Sequence, residues 1–166
     1  MTGVDDLTRD MVRRADQAAS KPDVRSENGV FASVLVAELF DLVHDNDSAD
    51  WYDCRNPRTG TKFEVKSMEA TIDGRDEDSR VEVDGRFRLW ESQMRSLANA
   101  AGADGQSAWV VFVLLDERGD PVNLRRVKVS TVYSWVHDEM DGWDESGHDN
   151  DDLGRQQKLP AEVVFS

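Results

Sequence analysis

Thr61-Lys62-Phe63-Glu64-Val65-Lys66-Ser67 alternates polar and apolar side chains through one extended run. Residues two apart on a strand share a face. Glu64 and Lys66 therefore project together, while Phe63 and Val65 project into the other layer. Just upstream, Trp51-Tyr52-Asp53 closes a second run, and Asn56-Pro57-Arg58-Thr59-Gly60 between the two favours a chain reversal. A hairpin of this kind brings the Asp53 carboxylate close to that of Glu64. Two adjacent carboxylates repel unless a proton or a cation lies between them. Hard oxygen ligands suit a magnesium-type ion, which keeps several waters for chemistry. Lys66 then stands where an ammonium group positions a water or stabilises a developing negative charge.

Glu-x-Lys alone says little. The chain is 33% charged, and such a pair is ordinarily a solvated face or a cross-strand ion pair. The surroundings are more informative. Residues 28 to 44 place Phe31, Val34, Leu35, Leu39 and Leu42 at helical spacing. After the Glu-x-Lys strand, Phe87 to Leu97 leads into a helix expected over Trp90 to Ala101 and ended by Gly102. Ala108 to Leu115 is a buried strand, which turns through Glu117-Arg118-Gly119-Asp120 into another at 122 to 129.

These residues resemble the signature of the PD-(D/E)xK nuclease superfamily, which covers restriction endonucleases, Holliday-junction resolvases and repair and phage nucleases. The motif is an aspartate at the end of one strand and Glu-x-Lys on the next. Asp53 precedes Glu64 by eleven residues, and Asp50, its rival, by fourteen. Asp53 is preferred, because its run and the Glu-x-Lys run read as one hairpin. Gln93 matches a glutamine that often faces the active site from the following helix. The resemblance covers roughly residues 27 to 116. It implies a restriction-endonuclease-like α/β fold and a Mg2+- or Mn2+-dependent DNA endonuclease that leaves 5′-phosphate and 3′-hydroxyl ends. Asp53 and Glu64 would hold the metal with the Val65 carbonyl. Lys66 would orient or activate the attacking water, and Gln93 would support either. Members usually carry a glutamate on the helix before the Asp strand. Ser33 stands there in this chain, which leaves Glu27 or Glu38 to complete the outer shell. That departure and the acidic surface favour a rival expectation, a nuclease-fold binding or regulatory module without catalysis. An unrelated domain with a chance Glu-x-Lys is the remaining alternative.

Composition bounds the partners. The 166 residues suffice for one substantial core and are short for two. We therefore expect one domain over 1–166, with its core at about 27–130 and a C-terminal helix, acidic loop and edge strand over 130–166. With 20 basic and 34 acidic residues the net charge is −14, awkward for a nucleic-acid partner, since phosphate binding rests on Lys and Arg. Aspartate outnumbers glutamate 23 to 11, and arginine outnumbers lysine 15 to 5. This balance resembles proteins of salt-loving archaea, so a halophilic archaeon or its virus is the expected source. High salt screens such self-repulsion. Arg86, Arg88 and Arg95 flank the Gln93 helix and are the expected contacts to a DNA backbone. Arg125, Arg126 and Lys128 cluster further along.

Other chemistries find little support. Cys54 is alone, which excludes an internal disulfide and a cysteine-based zinc site; it is expected to fill core space. No phosphate-binding glycine loop occurs. His44, His137 and His148 read as surface residues, and Trp90 and Trp143 are the tryptophans left open for base stacking. The longest apolar run, Trp109 to Leu115, is too short to span a bilayer, so a soluble, cytoplasmic protein without membrane partners is expected. Many such nucleases cut two strands as dimers, which leaves a homodimer open.

The remaining segments are lesser expectations. Residues 4 to 20 read as a first helix, 72 to 79 as a charged loop, and Asp84-Gly85 as a hairpin turn. Ser130 is an N-cap candidate for a helix through Met140. Residues 141 to 157 read as a loop, and Lys158 to Phe165 as an edge strand. The order of helices and strands fits a mixed sheet with helices on both faces.

Overall fold

The computed structural model of the chain describes residues 3–21, 27–45, 52–73, 82–102, 108–144 and 154–166. A 3-10 turn, Val4–Asp6, leads to α1 (Arg9–Ala19), capped by Thr8, whose hydroxyl accepts the Met11 amide. The apolar spacing that predicts the next helix produces α2 (Glu27–Phe40). It stops earlier than expected. Asp41 takes a left-handed conformation at φ 54°, and Val43–His44 becomes β1 instead of a last helical turn.

The central sheet has five strands in the order β1-β2-β3-β7-β8. β2 (Cys54–Arg55) runs antiparallel to both β1 and β3 (Lys62–Glu69). β7 (Ala108–Leu115) is parallel to β3, and β8 (Pro121–Lys128) is antiparallel to β7. The β2–β3 turn is built as its residues dictate. The Asn56 side chain accepts the Arg58 amide, and Gly60 takes the φ of 76° that closes the loop. Asp116 and Gly119, at φ 82°, do the same between β7 and β8.

Each face of this sheet carries a core. Phe63, Val65, Val111 and Val113 pack under α1 and α2 with Phe31, Leu35 and Val36. Val110 and Phe112 face the other way, towards α3 (Glu91–Gly102) and α4 (Val129–Ser134) with Met94, Leu97 and Val132. Cys54 fills core space as expected, fully buried, with its Sγ 3.4 Å from the Ser33 carbonyl.

Two ribbons complete the structure. β4 (Thr71–Asp73) pairs with β5 (Glu82–Asp84), and β6 (Arg86–Trp90) pairs with β9 (Gln156–Pro160). Asp84-Gly85 is therefore no hairpin turn. It is the crossing between two ribbons, where the Gly85 amide donates to the Ala70 carbonyl. A Cβ on Gly85 would lie 2.0 Å from the Glu69 carbonyl oxygen, so close approach of backbones, not turn geometry, requires this glycine. Most of the charged loop expected at 72 to 79 lies outside the described residues.

Ser130 is not an N-cap. Lys128 holds that position, and the helix begins at Val129 and continues as a π-helical turn, Trp135–Glu139. The last strand lies earlier than expected, at Gln156–Pro160, and a short helix, α5 (Ala161–Val164), replaces its second half. Gln156 and Gln157 look polar for a strand, but β6 draws them in; the Gln157 amide donates to the Met140 and Gly142 carbonyls.

Candidate active site

The register Cys54↔Phe63 between β2 and β3, continued by one residue, sets Asp53 opposite Glu64 on the face away from α2. The Asp53 amide donates to the Phe63 carbonyl, and Asp53 Oδ2 accepts the Val65 amide at 2.8 Å. In a strand a residue's N–H and C=O point to the same side, so the Val65 carbonyl also opens towards Asp53. Glu64 is 5% exposed and lies beside Asp53, whose charge adds to the rise in its pKa. Its Oε1 lies 2.9 Å from Lys66 Nζ. Lys66 Nζ in turn donates to Gln93 Oε1 at 3.0 Å, in the first turn of α3. Asp53, Glu64, Lys66 and Gln93 thus form one connected polar chain across β2, β3 and α3.

Electrostatics follow from burial. Desolvation raises the Glu64 pKa to about 8; Lys66 opposes the rise and the Asp53 charge adds to it. Burial outweighs the lysine, so Glu64 holds its proton to a higher pH than an ordinary carboxyl does. Two carboxylates and a backbone carbonyl are hard oxygen donors of the kind that hold Mg2+ or Mn2+, so the donor set fits a divalent ion.

Other expected residues lie elsewhere. Glu38 is ion-paired with Arg14 of α1 on the far side of the sheet, so it does not join Asp53. Asp50 and the Glu27 side chain lie outside the described residues. Among the described residues no third His, Cys, Asp or Glu joins the pair. Ser33 is buried under the opposite face of the sheet. Arg86 and Arg88 are exposed on β6, whereas Arg95 is paired with Glu91, which also takes a two-pronged contact from Arg155. Arg125, Arg126 and Lys128 turn out to be packing residues, stacked over Trp135, Phe40 and Trp109. Arg125 also donates to the Val164 carbonyl.

Trp143 packs edge-on against Tyr133, and Trp109 is only half-buried. His44 is no plain surface residue. It sits opposite Cys54, is half-buried, and burial lowers its pKa against the pull of Asp53 and Asp45. Nothing local in the sequence marks it, because the two-residue strand that carries it reads as the end of a helix.

A family model described as a PD-(D/E)XK nuclease superfamily domain matches residues 19–166. The chain belongs to the PD-(D/E)XK nuclease superfamily. Its mixed five-stranded sheet flanked by helices is a restriction-endonuclease-like fold. Nucleases of this superfamily typically use divalent metals. The chain matches no curated protein sequence. No helix among the described residues is long and apolar enough to cross a membrane.

Proposed function

We propose that this chain is a divalent-metal-dependent endonuclease that hydrolyses phosphodiester bonds in DNA. The observation that carries this reading is the connected chain of Asp53, Glu64, Lys66 and Gln93. Asp53 and Glu64, with the Val65 carbonyl, would hold Mg2+ or Mn2+. A divalent ion bound there supplies positive charge that polarises a phosphodiester and acidifies water.

The protein's own groups do the rest. The Val65 amide fixes the Asp53 carboxylate. Glu64, buried beside Asp53, would give its carboxylate to the same ion. Lys66, held between Glu64 and Gln93, presents its ammonium to the attacking water and to the negative charge that builds on the phosphate. Gln93 restrains Lys66 and offers its amide to the same water. Arg86 and Arg88, on the strand that leads into α3, face solvent where a DNA backbone would approach.

The test is a cleavage assay at molar salt on plasmid, branched and single-stranded DNA, with and without Mn2+. Metal-dependent nicking of at least one substrate is expected; none of the three being cut would remove the enzymatic reading. A second reading, a non-catalytic DNA- or protein-binding module, draws on the absence of a third carboxylate among the described residues. Metal titration separates the two, because a site without affinity for Mn2+ supports only the second.

A further inference from the structure

β6 and β9 form a ribbon with two unlike faces. Phe87, Leu89 and Leu159 are fully buried on its inner side. There Phe87 meets Phe112 edge-on, with ring centroids 5.0 Å apart. Phe112 is the residue paired with Lys66 across β3 and β7, so the ribbon lies over the same sheet face as Glu64 and Lys66. The outer row carries Arg86 and Arg88 from β6 and Lys158 from β9. The register sets Arg88 directly opposite Lys158 and Arg86 opposite Pro160. Directly opposed residues have Cβ atoms about 4.5–5.5 Å apart, and like charges there destabilise the pair.

The chain has 34 acidic residues against 20 basic ones, so carboxylates to neutralise this row are plentiful. Among the described residues neither Arg86, Arg88 nor Lys158 has an ion pair. Glu91, at the end of this ribbon, is taken by Arg95 and Arg155. β6 then runs directly into α3, whose first turn holds Gln93 against Lys66.

We infer that Arg86, Arg88 and Lys158 form a binding row for the phosphate backbone of duplex DNA, fed from β6 towards the Lys66 end of the site. The inference rests on the nuclease reading for its partner, and it replaces Arg95, which already has an acid, with Lys158. Adjacent phosphates of a DNA strand supply negative charges that these three cations lack among the described residues, and backbone contacts of this kind position a duplex without reading its sequence.

The experiment measures binding of a labelled duplex without metal, across a salt series, so cleavage plays no part. The R86Q/R88Q/K158Q variant is expected to reduce the slope of log affinity against log salt by about 0.9 per cation removed. It should weaken duplexes of unrelated sequence equally. An unchanged slope overturns the row and leaves the cleavage assay standing; failure of the cleavage assay leaves the slope result standing. The single variant K158E guards against misfolding. It places a carboxylate opposite Arg88, so a higher melting temperature together with weaker DNA binding is expected, and DNA affinity equal to wild type overturns the proposal.

Discussion

Asp53 Oδ2 accepts the backbone amide of Val65 at 2.8 Å. The contact links the end of β2 to β3 just past their last ladder pair, and it orients the carboxylate towards Glu64. The side chain therefore has two duties, satisfying a strand amide and contributing to the proposed metal site.

Two substitutions separate those duties. Asp53→Ala strands the Val65 amide, which costs about 1–3 kcal/mol when a buried donor loses its partner. Asp53→Asn keeps an acceptor and should melt near wild type. Both should lose Mn2+ binding in calorimetry and DNA cleavage. Wild-type cleavage by Asp53→Ala would exclude the carboxylate from catalysis.

Glu64 makes stability pH-dependent. Its folded pKa, about 8, lies above the ordinary 4.5. The unfolded chain therefore releases this proton first as pH rises. The stabilising contribution is whole below pH 4.5, declines up to about 8 and is then constant. Urea denaturation without metal should show wild type losing stability from pH 5 to 8 relative to Glu64→Gln. Mn2+ should lessen that loss, since a cation replaces the proton. Parallel profiles for the two proteins would contradict the buried, neutral carboxyl.

Gln93 reaches Lys66 without a carboxylate of its own. Gln93→Ala should lower the cleavage rate by about 10- to 100-fold, as loss of an orienting partner commonly does. Mn2+ affinity should stay near wild type, because Asp53, Glu64 and Val65 are untouched. Loss of metal affinity with an unaltered rate would contradict the assigned division of labour.

Gly85 is confined by backbone, not by a side chain that can swing away. Gly85→Ala sets a Cβ against the Glu69 carbonyl oxygen, and overpacking of this kind costs about 1–3 kcal/mol. Thermal melts should show the loss, while Gly3→Ala, with open space around it, should melt as wild type does.

Much of the local structure was legible because it depends on neighbours in sequence. Alternation along Phe63, Glu64, Val65 and Lys66 set their faces, and Asn56 and Gly60 set the turn that returns the chain. The helical spacing of Phe31 and Leu35 and the apolar run of β7 were equally plain. The misreadings fall where a distant segment decides. Asp84-Gly85 carries the composition of a hairpin, yet β4 and β9 claim the strands on either side of it. Gln156 and Gln157 have no strand signal of their own and are extended because β6 pairs with them.

The sequence by itself determined that an aspartate and a Glu-x-Lys strand would share one hairpin, since a period of two and a five-residue turn leave little choice. Tertiary structure alone decided that Glu38 would pair with Arg14 and that Lys158 would stand opposite Arg88. Those contacts join segments whose separation along the chain carries no local signal; they arise only when both faces of the sheet are buried at once.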